Sequence, residues 1–559
     1  MEPASLLNIP TEIQTKIFLY LVTPFGPTSN IQAVLRTCRQ LYEVALPVSV
    51  SVFRNTPSYP KDQGPCSRAR NIKFLRLILI NKPWLAKHVG TVIFGRFSTL
   101  EGQTKYPENW VNDPCPVSDY ELGIFQHHIE YILGQLPTTL EWSHQWTYDL
   151  QVGSSDAQVV LILLVCPNIR TLLYEMPRMS YHLGRLFNFT RIMANSSYYF
   201  GSEWINKEYS EMTVPLRNLQ DVYHEILDEE VYQPFSNETS CLFGFPKLRF
   251  YECIGSQATY HAAEGFMEME PRSSSVEEIV LHWSWSTAKF LQNMLGACRA
   301  LKKLEFSHRS TSSSANMMMP RDILDAISPH ANTFEHLYLN LEDNLDKKWD
   351  WTSQPERLYM GTGLRHMHAL KRLTIGMQEL TGMLASKPWN SDQIEATHQV
   401  PLRVEGAPRI VDCLPDNLEY LMIHSCGGKP IIDQIQELVH AIAQGHRLNN
   451  LRYLGMIFHD WRSDFDEVTD YLEEFPDFEK DMQIIEIQKG VRVDIGKQSI
   501  TGYHHDLLST FRESSDRPSN IMSRIYAPNY RDLYLERRMN PRYMDGEYGY
   551  EGVLNPFEQ

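Results

Sequence analysis

The sequence lacks the residue spacings that mark a metal or redox centre. Its nine cysteines contain no Cys-x-x-Cys pair. Their odd number and irregular spacing favour a reduced, intracellular compartment over a disulfide framework. No apolar run approaches the roughly 18 residues of a spanning helix. The longest, Val159–Cys166, stops at Pro167 and suits a buried core segment. The opening Met-Glu-Pro-Ala-Ser has no basic stretch followed by an apolar one, so neither secretion nor a membrane partner is expected. A basic surplus is missing as well. Lys and Arg number 52 against 68 Asp and Glu, and the formal net charge is -16. Such a chain has few cations to spare for replacing phosphate counterions, so no nucleic-acid partner is expected.

Catalytic signatures are equally scarce. There is no Gly-x-x-x-x-Gly-Lys-Ser/Thr loop, no Gly-x-Ser-x-Gly elbow and no His-Glu-x-x-His helix. The histidines of His127-His128, His366/His368 and His504-His505 lack Cys or carboxylate companions at metal spacing. No catalytic residue, metal or cofactor is expected. What the chain does have is a foldable composition, 43% hydrophobic and 21% charged, and a length of 559 residues, too long for one ordinary core.

The first fifty residues carry two short amphipathic segments. Ile9-Pro10-Thr11-Glu12-Ile13 opens a helix, with proline in the first turn, where its missing N–H is not needed. Ile13, Ile17 and Leu21 then recur at steps of four. Pro24, Gly26 and Pro27 break the helix, and Ser29 or Asn30 caps a second segment. In it Ile31, Val34, Leu35, Cys38, Leu41, Tyr42 and Ala45 recur at steps of one, three and four. Helices this small need another surface to pack against.

The order of these residues resembles the F-box. The resemblance rests on Leu6–Ile13, Ile17–Leu21 and Val34–Tyr42. It implies docking on the Skp-family adaptor and, through it, on the cullin of an E3 ubiquitin ligase. The positions matching the family's docking elements are Pro10, Ile13, Ile17, Leu21, Leu35, Cys38 and Arg39. The sequence departs from the family pattern in a longer loop, Thr23–Asn30, and in Leu41-Tyr42 where a tryptophan is common.

Behind the helices one pattern recurs, apolar-x-x-apolar-x-apolar. Its copies start at Ile169, Val276, Leu301, Phe334, Leu370, Leu418 and Leu451, with weaker ones at Val89 and Leu248. From Val276 onward the starts are 25, 33, 36, 48 and 33 residues apart. Helical periodicity precedes several copies, at Thr287–Cys298, Pro320–Ser328 and Ile432–Ala443. The pattern resembles an irregular leucine-rich repeat, which buries its apolar face by stacking on neighbours. The expected fold is α/β: a small all-α N-terminal F-box followed by an irregular leucine-rich-repeat-like solenoid. The expected layout is the F-box at 1–52, a linker and first-repeat region at 53–155, the solenoid at 156–495 and a tail or cap at 496–559.

In a strand reading x-Leu-x-Leu-x, alternate residues point away from the core. That projection makes His282, His336, Tyr338, Arg372, Tyr420, Met422, His424 and Tyr453 candidates for binding a protein substrate. Aromatic, Met and Arg side chains suit such a surface. The resemblance thus implies a non-catalytic, cytoplasmic or nuclear adaptor that recruits a substrate for ubiquitination. The rivals are an interaction scaffold without a ligase and an α/β enzyme with a site the sequence does not reveal.

Overall fold

The copies of the apolar pattern become strands because each presents apolar side chains to two neighbours at once. The computed structural model describes residues 6–22, 29–55, 67–99, 101, 116–133, 140–175, 180–194, 214–225, 237–255, 257–258, 266–267, 269–308, 318–341, 355–382, 406–426, 429–459 and 476–498. The chain divides into two compact units, Met1–Leu345 and Asp346–Gln559.

The first unit opens with three helices, α1 (Thr11–Leu21), α2 (Ser29–Leu35) and α3 (Arg39–Ser49). Its strands are β1 (Val52–Asn55), β2 (Thr91–Phe94), β3 (Thr171–Glu175), β4 (Asp221–Glu225) and β5 (Phe250–Ile254). They continue as β6 (Gln257–Ala258), β7 (Glu278–Ser286), β8 (Lys303–His308) and β9 (His336–Asn340). Neighbours in the sheet follow chain order, except that the two-residue β6 pairs beside β7. The second unit holds β10 (Arg372–Gly376), β11 (Tyr420–Cys426), β12 (Tyr453–His459) and β13 (Arg492–Gln498), again paired in chain order.

Each of the nine pattern copies opens two residues before a strand and runs into it. The three helices expected ahead of strands stand at Ala288–Ala297, Pro320–Ile327 and Lys429–Ala443. The architecture nevertheless differs from the one expected. In place of a small all-α F-box unit and a leucine-rich-repeat-like solenoid, the described residues form an α/β structure with thirteen strands, paired in parallel. Only two residues separate α3 from β1, so the opening helices lead straight into the sheet. Parallel neighbours need a crossover of about a dozen residues or more, usually a helix. The uneven intervals between copies hold such crossovers, of different lengths, which is why no fixed period exists.

Burial follows from the crossovers. Ser155–Val165, the last helix between β2 and β3, is buried all round from Ser155 to Leu164. Its one charge, Asp156, is satisfied by the start of the next crossover helix. Ser180 Oγ and the amides of Tyr181 and His182 donate to its carboxylate at 2.7, 2.9 and 2.9 Å. Beneath β3–β5, Tyr174, His224 and Tyr251 form a buried polar pin. Both tyrosine hydroxyls reach the imidazole, at 3.3 and 3.2 Å. Burial pushes the His224 pKa down to about 3, so the ring stays neutral.

Candidate functional site: an outward-facing helical hook and two strand rows

The three opening helices close on a small core of Phe18, Ile31, Leu41, Ala45 and Val48. Gln14 lies one turn before Phe18 and faces the same way. Its side-chain amide donates to the carbonyls of Leu6 and Ile9, at 3.1 and 2.9 Å, tying the segment before α1 to the helix. With Gln14 and Phe18 inward, the opposite face of α1 is left outward. Ile13 is 44% exposed, Ile17 39% and Tyr20 85%. Their spacing of i, i+4 and i+7 makes one continuous seam.

The expected docking residues divide accordingly. Pro10, Ile13, Ile17, Cys38 and Arg39 are exposed, while Leu21 and Leu35 are half-buried against the helical core. Cys38 is the N-cap of α3 and a free thiol. Arg39 pairs with Glu43 one turn on, at 3.1 Å and largely in solvent. Leu7, Leu19 and Tyr20 lie in the segments that carry the resemblance but are not among its docking positions, and all three are exposed. The signal for them was there: α1 is apolar over Ile17–Leu21 without a break, more than one inward face can absorb.

The rows projected from the strands come together within each unit. In the first, Lys303 and His336 are register partners, as are Glu305 and Tyr338. His282 of β7 lies between Glu305 and Ser307. Its Nε2 is 3.4 Å from Glu305 Oε2 and its Nδ1 3.3 Å from Ser307 Oγ. Lys303 Nζ holds the other Glu305 oxygen at 2.6 Å. Burial alone would raise the Glu305 pKa, but Lys303 and His282 together hold it well below the usual carboxylate range. In the second unit Arg372, Tyr420, Tyr453 and Arg492 are successive register partners across β10–β13. The two tyrosine rings stack at 4.4 Å and 8°, and the Arg492 guanidinium lies 5.9 Å from the Tyr453 ring.

Exposure within these rows corrects the expectation of an open surface. His282, Tyr338, Met422 and His424 are buried. They pack or pair inside the protein and present nothing to a partner as they stand. His336, Arg372, Tyr420 and Tyr453 keep partial exposure. The alternation of the strands was legible, but alternation assigns a face, and burial depends on what else lies over that face.

Among the described residues no three His, Cys, Asp or Glu side chains converge to hold a metal ion. Burial raises the thiol pKa of Cys166 and Cys298 and pushes that of Cys413 up to about 12, which leaves these three sulfurs protonated and poorly nucleophilic. No described helix is long and apolar enough to cross a membrane. The loop at 23–28 and the tail beyond Gln498 lie outside the described residues. No family model matches this chain, and no curated protein is significantly similar to it.

Proposed function

We propose that this chain is the substrate-recognition adaptor of a Skp–cullin–F-box ubiquitin ligase, working inside the cell and performing no chemistry of its own. One observation carries the reading. The outer face of α1 offers Ile13, Ile17 and Tyr20 to solvent while Phe18 and Gln14 seal the inner face. An apolar helical seam left uncovered on an anchored helix fits insertion into a partner's groove. Ile13 and Ile17 are already more than half covered, so each has about 1 kcal/mol of burial left to gain on docking.

The parallel sheet then serves to hold the substrate. The half-exposed ladder of Arg372, Tyr420, Tyr453 and Arg492 is the best supported contact, since stacked aromatics flanked by arginines are the side chains that dominate protein interfaces. Holding ligase and substrate on one chain turns ubiquitin transfer into a local event. The test is co-purification of the adaptor with full-length protein from cells. Ile13→Asp is expected to abolish it with the rest of the chain still folded. An interaction scaffold without a ligase would bring down no adaptor, with or without the substitution.

A further inference from the structure

Two buried polar side chains at the C-terminal ends of β7 and β8 have no hydrogen-bond partner. They are the Ser286 hydroxyl and the imidazole of His308, on which neither nitrogen is bonded. Ser286 is 1% exposed and His308 4%. Buried polar groups in folded proteins are nearly always paired, because an unpaired one forfeits its hydration for nothing. Both groups are open to bonding with a buried water or a bound ligand.

The register sets them on one side of the sheet. Leu281 pairs with Phe306, but the next pair is Ser284 with His308, so β7 carries one more residue than β8 across this step. The bulge turns Ser284, and Ser286 two residues on, to the same side of the sheet as His308. Beyond β7, the ten-residue helix Ala288–Ala297 starts two residues after Ser286 and carries the chain back to β8. Its first turn therefore stands at the same edge. The Thr287 side chain accepts from the Phe290 amide. The Ala288 and Lys289 amides have no intrahelical acceptor, as at any helix start. Lys289 adds an exposed cation to that turn. Helix starts favour anions.

We propose that this edge of β7 and β8 is a binding site for a phosphate-type oxyanion. The first-turn amides of Ala288–Ala297 take one side of the ion, the Ser286 hydroxyl a second and the His308 N–H a third. Three donors arriving from different elements match a tetrahedral acceptor better than a planar carboxylate. Burial pushes the His308 pKa down to about 3, so the free site holds a neutral ring with a single N–H to offer.

The test compares full-length protein in inorganic phosphate and in chloride at equal ionic strength. Phosphate at roughly ten times its dissociation constant is expected to raise the thermal midpoint by about 2–4 °C. Ser286→Ala and His308→Leu are each expected to remove that shift. Ser286→Ala removes a single oxygen and decides the matter should His308→Leu fail to fold. No shift in the wild type at any phosphate concentration would overturn the proposal. So would an equal shift in the wild type and Ser286→Ala, which would mark general salt binding.

Discussion

Lys82 Nζ donates a hydrogen bond of 2.9 Å to the hydroxyl of Tyr42. The bond joins α3, in the helical hook, to the segment that leads into the 3-10 helix Pro83–His88. Both groups are half-buried, so the hook is pinned as well as tethered. The ammonium also lies 4.9 Å from the Tyr42 ring centroid. Tyr42→Phe keeps the ring and deletes the hydroxyl. It is expected to cost about 0.5–1.5 kcal/mol in urea unfolding. Lys82→Met should cost a similar amount, and the double variant should cost less than the sum of the two.

The two sides of α1 should respond unequally to truncation. Phe18→Ala empties the centre of the hook and is expected to cost about 3–5 kcal/mol. Ile17→Ala, on the outward seam and a little over half covered, should cost about 1–2 kcal/mol. Unfolding of the adaptor-free protein, followed by limited proteolysis near α1, measures both.

His224 supplies a pH dependence whose sign can be worked out. Its pKa falls from the ordinary 6.5 of a histidine to about 3 in the fold. Between these values the unfolded chain binds a proton that the folded chain refuses. Stability present above pH 6.5 is therefore lost as pH falls toward 3. His224→Phe removes the titrating group and should flatten this part of the curve, at the expense of leaving the Tyr174 and Tyr251 hydroxyls short of a partner. Urea midpoints at a series of pH values read the change of slope.

Gly455 makes room for the tyrosine ladder. A Cβ there would stand 2.9 Å from a carbon of the Tyr453 ring and 3.3 Å from the Met422 methyl. Gly455→Val is expected to displace the Tyr453 ring from its stack with Tyr420 and to cost about 1–3 kcal/mol. Near-ultraviolet circular dichroism should show the loss of the stack.

Strand positions were legible because each copy of the pattern carries three apolar residues in fixed order. β4 lacked one of them: Leu219 and Val222 are followed by His224, whose imidazole is made compatible with the core by two tyrosines from neighbouring strands. A single-sequence pattern cannot supply partners that lie 50 and 27 residues away. β1 and β13 escaped for another reason, since Asn55 stands at the last apolar place of one copy and Gly490 at the first place of the other. The architecture was misjudged because strand spacing does not say whether neighbours stack as repeats or cross over as βαβ units. The hook was legible in Ile13 and Ile17. Leu21 was assigned to the same stripe, but it turns toward the hook core, because 3.6 residues per turn carry the eighth residue away from a narrow seam. The oxyanion edge left no sequence signal at all. It depends on a bulge in β7 that brings Ser286 and His308 to one side.

The most direct test of the ligase reading is the affinity of purified full-length protein for a purified Skp-family adaptor. Ile13→Asp and Ile17→Asp, each checked for an unchanged unfolding midpoint, are compared with the wild type by calorimetric titration. Measurable binding by the wild type, weakened at least about tenfold by either substitution, is the predicted result, equivalent to about 1.4 kcal/mol. Equal affinity in all three proteins, or no binding by the wild type, would contradict it.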